Sequence, residues 1–324
     1  MIRWGILGGG NIARRFAESM EAVSGNKITA VSCRSLEKAE AFAGSFGIER
    51  ACGSHESLLE EDWIDAVYLA LPHGLHCEWA LRAMKAGKAV LCEKPAAMSE
   101  AETRLMAETA AECGVLFMEA MKTRFIPAYR EVKRRIGEGA VGEVIRVETS
   151  LCNAMPFDRA RPTYHTDPSQ GGALLDVGIY CACYLEEYLQ GRPVLKDLKA
   201  EFQDGVDFYT DAELVWPSGQ GRLTCAFDRE EPRRALITGT RGKILVDELH
   251  RPREFTVFTT AGEEKVYIPY EVDDFYGEIV HFSDCLAEGR KESPVMPLAA
   301  SIRCAAVLDR IREGFPAVSK EIRP

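Results

Sequence analysis

This sequence has no surplus of positive charge: its 324 residues carry 40 lysines and arginines against 50 aspartates and glutamates, a formal net charge of −10. A phosphate backbone demands a clustered basic surface, so nucleic acid is not an expected partner. No apolar run approaches the roughly 20 residues that span a bilayer, and no membrane partner is expected. The opening MIRWGILGGGNIARRF has arginines after its short apolar run rather than before it, which is not the order of a secretory leader. Zinc-type cysteine spacing is missing as well. The eleven cysteines are scattered, and the one close pair, Cys181 and Cys183, has a single residue between its members. Free thiols in a reducing cytoplasm are expected, with no metal site. Internal repeats and low-complexity linkers are absent. What is there is an ordinary globular composition, 46% hydrophobic and 28% charged, in a length that suits two domains with a core each.

Residues 1–121 alternate strand-like with helix-like stretches: IRWGIL, NIARRFAESMEAV, KITAVSC, SLEKAEAFAGSFG, DAVYLALP, LHCEWALRAMKAG, KAVLC, SEAETRLMAETAAECG and VLFMEA. In the first helix Ile12, Phe16, Met20 and Val23 recur at helical spacing. Strands separated by helices of this length predict a parallel, doubly wound sheet, a Rossmann-type α/β domain. The unbroken apolar run from Ala66 to Leu71 suits burial on both faces. From about residue 140 strand candidates follow one another with few helices between them. Leu223, Cys225 and Phe227 alternate with Arg222, Thr224 and Ala226, a period of two. Residues 122–324 are therefore expected to form an α+β domain with a large, mainly antiparallel sheet. Helices near 275–288 and 297–313 close the chain, the last expected to pack back on the first domain.

The first turn reads Gly8-Gly9-Gly10-Asn11-Ile12-Ala13. Alone, G-x-G-x-x-A is a common glycine-rich turn; after a strand and opening a helix, it is the pattern that holds a dinucleotide. Gly8 permits the tight turn, Gly10 lets backbone approach a pyrophosphate, and the N–H groups at Asn11 and Ile12 face the anion. An NAD site usually ends its second strand with Asp or Glu to hold the ribose hydroxyls. Here the stretch is VSCRSLEK. Arg34 suits stacking on adenine and pairing with a 2′-phosphate, Ser35 donation of a hydrogen bond, and Lys38 a second charge one turn along. NADP is expected ahead of NAD.

KAVLC, counted along the chain as the fifth strand, ends in Glu93-Lys94-Pro95. In isolation that tripeptide is a surface turn. At the C-terminal end of a parallel strand it lies where such sheets bind ligands, so Glu93 and Lys94 are expected toward the nicotinamide half of the cofactor.

Six motifs in this order, GILGGGNIA, ALPHGLH, AGKAVLCEKP, MEAMKTRFIPA, GGALLDVGIY and ITGTRGKILV, resemble the glucose–fructose oxidoreductase, inositol dehydrogenase and MocA family nearly end to end. The nearest subgroup is the dimeric dihydrodiol dehydrogenases and NADP-dependent D-xylose dehydrogenases. The resemblance implies that Lys94 is the active-site lysine, that its bond to Pro95 is cis, and that Leu71, His73 and His76 line the cofactor. For His76, capping of the next helix is the competing reading. It further implies that the GGALLDVGIY helix carries the acid/base residue. Asp176 and Tyr180, four apart, share one helical face. Tyrosine ionises near pH 10, so Tyr180 as a base needs a cation, and Lys94 would supply it. Asp176 would position a substrate hydroxyl. The subgroup's Trp before TRF is Lys122 here, so an aromatic wall gives way to a cation or to a side chain swung out to solvent, which leaves open a hydroxylated or anionic small-molecule substrate in place of an aromatic one. Tyr164 is a further candidate for the pocket wall. Relatives pair through their sheets; Leu214 and Trp216 are expected to offer the apolar surface for a dimer or tetramer.

An NADP-dependent dehydrogenase acting on a sugar, polyol or cyclic diol is the first functional reading. A reductase of C=N or conjugated double bonds, a non-enzymatic dinucleotide sensor, and a glycosidase using its nicotinamide transiently are the competitors. A sensor has no need of Lys94 and Tyr180.

Overall fold

The computed structural model describes residues 1–155 and 163–316. Two compact units result: Met1–Pro127 with Pro269–Ile302, and Ala128–Ile268 with the chain from Arg303 onward.

In the first unit β1 (Ile2–Leu7), α1 (Asn11–Met20), β2 (Asn26–Ser32), α2 (Leu36–Phe46), β3 (Arg50–Cys52), α3 (His55–Leu59), β4 (Ala66–Leu69), α4 (His76–Lys85), β5 (Ala89–Glu93), α5 (Glu100–Cys113) and β6 (Phe117–Ala120) follow in alternation. The six strands lie in the order β3-β2-β1-β4-β5-β6, all parallel. The order reverses between β1 and β4, the switch point at which such sheets open a crevice. Every residue of β4 and β5 is buried, as their unbroken apolar runs require. Phe16 of α1 stacks on Tyr68 of β4 with centroids 3.8 Å apart and meets Trp4 edge-on. Ala13, fully buried, lets that helix lie close to the sheet.

The second unit holds α6 (Pro127–Gly137, whose first residue counts with the first unit), β7 (Val144–Cys152), α7 (Ala173–Asp176), α8 (Gly178–Tyr188), β8 (Val194–Gln203), β9 (Val206–Trp216), β10 (Gly219–Ala226), β11 (Arg234–Gly239), β12 (Gly242–Asp247), β13 (Glu254–Thr259) and β14 (Gly262–Tyr267). Its eight strands run β14-β13-β12-β11-β7-β10-β9-β8, antiparallel except for the β7–β10 pair. The alternation read in β10 holds at its start, where Gly221 and Leu223 are buried and Gln220 and Arg222 are not, but Thr224 and Ala226 are buried like Cys225; α8 packs on this strand. Leu214 and Trp216 require a correction. Both are buried, at 1% and 4% exposure, on the α8 side, where Trp216 and Leu185 crowd the space beside Gly221. The opposite face carries Arg222 and Asp211 in a 2.6 Å ion pair, with Arg146 bonded to Glu148 beside them, so it is polar over that stretch, while Cys152, Tyr209 and Ala226 form a buried apolar cluster at its end.

After β14 come α9 (Tyr276–Ala287) and α10 (Leu298–Arg312). The first unit runs to Pro127, and residues 269–302 return to it. Phe282 packs on Trp4 with centroids 5.0 Å apart, Ser283 donates to Asn26 and Ser19 donates to Asp273. The boundary between the units lies within α10, between Ile302 and Arg303.

All eleven cysteines are free thiols. Among the described residues no helix is long and apolar enough to cross a membrane, and no His, Cys, Asp and Glu cluster suits a metal.

Candidate active site

The C-terminal edge of the parallel sheet gathers most of the residues expected to hold a cofactor. Gly8 has φ +100°, and a Cβ there would lie 2.4 Å from the Ala70 carbonyl oxygen, so only glycine fits the turn. Beside Gly10 a Cβ would meet nothing within 4 Å. Gly10 is also the N-cap of α1 and offers no side-chain cap to the first helical N–H groups. An open approach to uncapped amides at the start of a ten-residue helix is what a pyrophosphate needs, and the fit is good. Past β2, Arg34 and Lys38 are exposed, while Ser35 caps α2 by accepting the Lys38 N–H at 3.4 Å. That bond uses an oxygen lone pair of Ser35 and leaves its proton to donate.

The turns after β4 and β5 are tied to each other by His76. Its ring is fully buried, with one nitrogen 2.8 Å from the Leu71 carbonyl and the other 2.8 Å from the Pro95 carbonyl. Burial lowers its pKa despite both carbonyls. His76 opens α4, yet its side chain does not cap that helix; it fixes the spacing of the turns after β4 and β5. Leu71 is partly buried, and His73 is buried with its ring 5.9 Å from that of His76. The Lys94–Pro95 bond is cis. Lys94 is partly exposed, whereas Glu93 is buried and accepts the Tyr68 hydroxyl and the Lys94 N–H. Burial raises the Glu93 carboxyl, with Lys94 opposing. Glu119, at the next strand, accepts the Ala96 N–H at 2.9 Å and so holds the turn from its far side.

Lys122 is buried in this unit. Its ammonium bonds Asp274 at 2.6 Å and stands over the Phe275 ring, and Arg15 reaches the other Asp274 oxygen. The charge of this ammonium is met within its own unit. Nearby Glu278 is fully buried with neither carboxyl oxygen hydrogen-bonded; burial, then Glu93, raises its pKa well above the ordinary range.

In the second unit, Asp176 and Tyr180 do not lie on one continuous helix. Asp176 ends α7, Val177 breaks the helical run at φ −109° and ψ −30°, and Tyr180 is the third residue of α8. Both side chains are nearly buried, at 9% and 7% exposure. The Tyr180 ring lies 5.7 Å from that of His250. Tyr164 is exposed and follows residues 156–162, which lie outside the described residues; its ring lies tilted against His165 with centroids 3.8 Å apart. Sequence reasoning misses His165. Its Nε2 is 3.7 Å from Asp176, an ion pair when the ring is protonated. A signal exists in its place next to Tyr164, whereas His250, in the turn between β12 and β13, has no pattern around it.

The comparisons with known proteins agree with this architecture. The model of an oxidoreductase family with an NAD-binding Rossmann fold matches residues 2–121, and that of the GFO/IDH/MocA C-terminal domain matches residues 129–245. The trans-1,2-dihydrobenzene-1,2-diol dehydrogenase of Mus musculus is 35% identical over 331 residues, 97% of each chain. A scyllo-inositol 2-dehydrogenase (NADP(+)) of Bacillus subtilis is 33% identical over 322 residues, again 97% of each. Among solved structures, a 3-ketoreductase from Actinomadura kijaniata in complex with NADP and TDP-benzene is similar with a TM-score of 0.86 at 27% identity, over 97% of this chain and 99% of that one.

Proposed function

The chain belongs to the GFO/IDH/MocA family of NAD(P)-binding oxidoreductases, and on that premise we propose that it is an NADP-dependent dehydrogenase oxidising a secondary alcohol of a sugar, polyol or cyclic diol. The observation that carries the proposal is the run of contacts along one sheet edge: Gly8 against Ala70, Leu71 to His76, and His76 to Pro95 next to Lys94. A dinucleotide laid on the glycine turn meets the lysine turn on the same edge. The named relatives act on diols and inositols, which supports the substrate class.

Gly8, Gly10 and the amides of Asn11 and Ile12 hold the pyrophosphate; Arg34, Ser35 and Lys38 take the 2′-phosphate; Leu71, His73, Glu93 and Lys94 face the nicotinamide half. Bound there, the nicotinamide supplies the hydride acceptor. The chain's own task is the proton. Tyr180 takes the hydroxyl proton as hydride leaves the carbon, and returns one in the reverse reaction. Lys94 stabilises alkoxide character on the reacting oxygen. Asp176 accepts a hydrogen bond from the substrate and orients it. Lys122 has no part in this reading. A homo-oligomer through the eight-stranded sheet and a cytoplasmic location belong to the same proposal; a species of single-chain mass in sedimentation would remove the first.

The test is reduced-nicotinamide absorbance with NADP⁺ and a panel of aldoses, polyols and cyclic diols, with Lys94→Ala as the blank. Lysine-dependent reduction with one substrate class supports the reading. Silence across the panel, with NADP⁺ binding demonstrated, turns the choice to a reductase of C=N or C=C bonds or to a sensor.

A further inference from the structure

The segment bearing Asp176 and Tyr180 is held at its start by a carboxylate that no motif announces. Asp207, near the start of β9, is 7% exposed. Its Oδ2 accepts the Leu174 N–H at 2.7 Å and the Thr210 hydroxyl at 3.3 Å. Its Oδ1 fills the place where a side chain on residue 172 would begin: a Cβ added to Gly172 would lie 2.0 Å from it. Gly172 has φ +113°, a conformation that resists any side chain in its own right.

Downstream, the backbone is a short relay of hydrogen bonds. Asp176 N–H donates to Gly172, Val177 to Ala173, and Tyr180 to Val177. Four-residue α7 is too short to sustain itself, because closing a first turn is unfavourable and little propagation follows. Its Leu174 amide, an orphan donor of the first turn, finds its acceptor in Asp207 instead of water. The carboxylate and the glycine are thus two halves of one joint, formed by elements far apart in sequence.

We infer that Asp207 is a positioning residue for the proton-handling pair: seated against Gly172 and bonded to Leu174, it sets where Asp176 and Tyr180 point. The inference rests on the proposed roles of those two residues and deepens that reading. Asp207 touches no reacting atom; it acts through the backbone of α7.

The experiment compares wild type, Asp207→Asn, Asp207→Ala, Gly172→Ala, the double variant Gly172→Ala/Asp207→Ala, and Tyr180→Phe, all as full-length protein. An asparagine oxygen still accepts the Leu174 N–H, so Asp207→Asn should keep kcat/KM within about threefold. Asp207→Ala should lower kcat roughly tenfold or more, as small misplacements of reacting groups do, with NADP⁺ affinity within about twofold. The Leu174 amide should exchange with deuterium faster in Asp207→Ala and not in Asp207→Asn. Because the methyl group that Gly172→Ala adds displaces the carboxylate, the double variant should lose little beyond Gly172→Ala alone. Turnover of Asp207→Ala within threefold of wild type overturns the inference, and so does Asp207→Asn being as impaired as Asp207→Ala. Unchanged Leu174 exchange in Asp207→Ala overturns it without reference to any substrate. Should Asp207→Ala not fold, Asp207→Asn and Gly172→Ala carry the comparison. Full turnover in Tyr180→Phe would sink the acid/base assignment instead, leaving the exchange result to decide the joint.

Discussion

An ammonium taken out of water must find a carboxylate, and removing one member of a buried pair leaves the other stranded. Lys122 and Asp274 are such a pair, both side chains 5% exposed and 2.6 Å apart. Arg15 still serves Asp274 when Lys122 is gone, so Lys122→Met should cost less than the 3–5 kcal/mol typical of a broken buried pair, about 2 kcal/mol in urea unfolding. Its KM for substrate should move less than about threefold; a tenfold rise would return Lys122 to the substrate pocket. The sequence marks this position as unusual, but Asp274 lies 152 residues away, and no local pattern joins the two. Arg34 is the opposite case, a proposal read from its place after a strand. It is exposed and its capping neighbour Ser35 is oriented by α2. A lost charge-assisted bond is worth about 1.5–3 kcal/mol. Arg34→Ala should therefore raise KM for NADP⁺ about tenfold or more and leave that for NAD⁺ within threefold, by initial rates with each cofactor.

Helices and strands with long apolar periods are readable in the sequence; the joints between them are not. The spacing of Asp176 and Tyr180 suggests one helical face, but spacing carries no information about the break at Val177. Gly172 points to a close approach without naming what approaches, since Asp207 belongs to a strand well downstream. That carboxylate has a measurable consequence for α7. Burial raises its pKa to about 6, against weaker opposition from the Leu174 N–H, the Thr210 hydroxyl and the charge of Arg312. A carboxyl with a folded pKa above its unfolded 3.8 binds protons more tightly when folded. Its contribution to stability is therefore greatest below about pH 4 and declines as pH rises through 6. Asp207→Asn removes this dependence. Relative to wild type, it should gain stability between about pH 4 and pH 7, by an amount on the order of 2 kcal/mol, in urea unfolding at each pH. A constant difference across that range would show that Asp207 is ionised in the folded protein at no cost.

For the molecule as a whole, alternating strands and helices announce the first unit, and the change to consecutive strands announces the second. The return of residues 269–296 to the first unit is hidden. Phe282 and Ser283 look like part of any amphipathic helix until Trp4 and Asn26 are known to await them. The proposed dinucleotide residues, from Gly8 to Lys94, all belong to that first unit. A ligand that binds only folded protein stabilises it by RT ln(1 + [L]/Kd), about 2.7 kcal/mol at a hundredfold excess over Kd. NADP⁺ should thus raise the melting temperature at concentrations where NAD⁺ does little, and Arg34→Ala should abolish the difference while keeping whatever effect NAD⁺ has. With all eleven cysteines free, adding a thiol reductant should leave both the melting temperature and the NADP⁺ shift unchanged. Equal shifts from the two nucleotides in the wild type would place the discrimination somewhere other than Arg34, Ser35 and Lys38, and the case for NADP would fall with it.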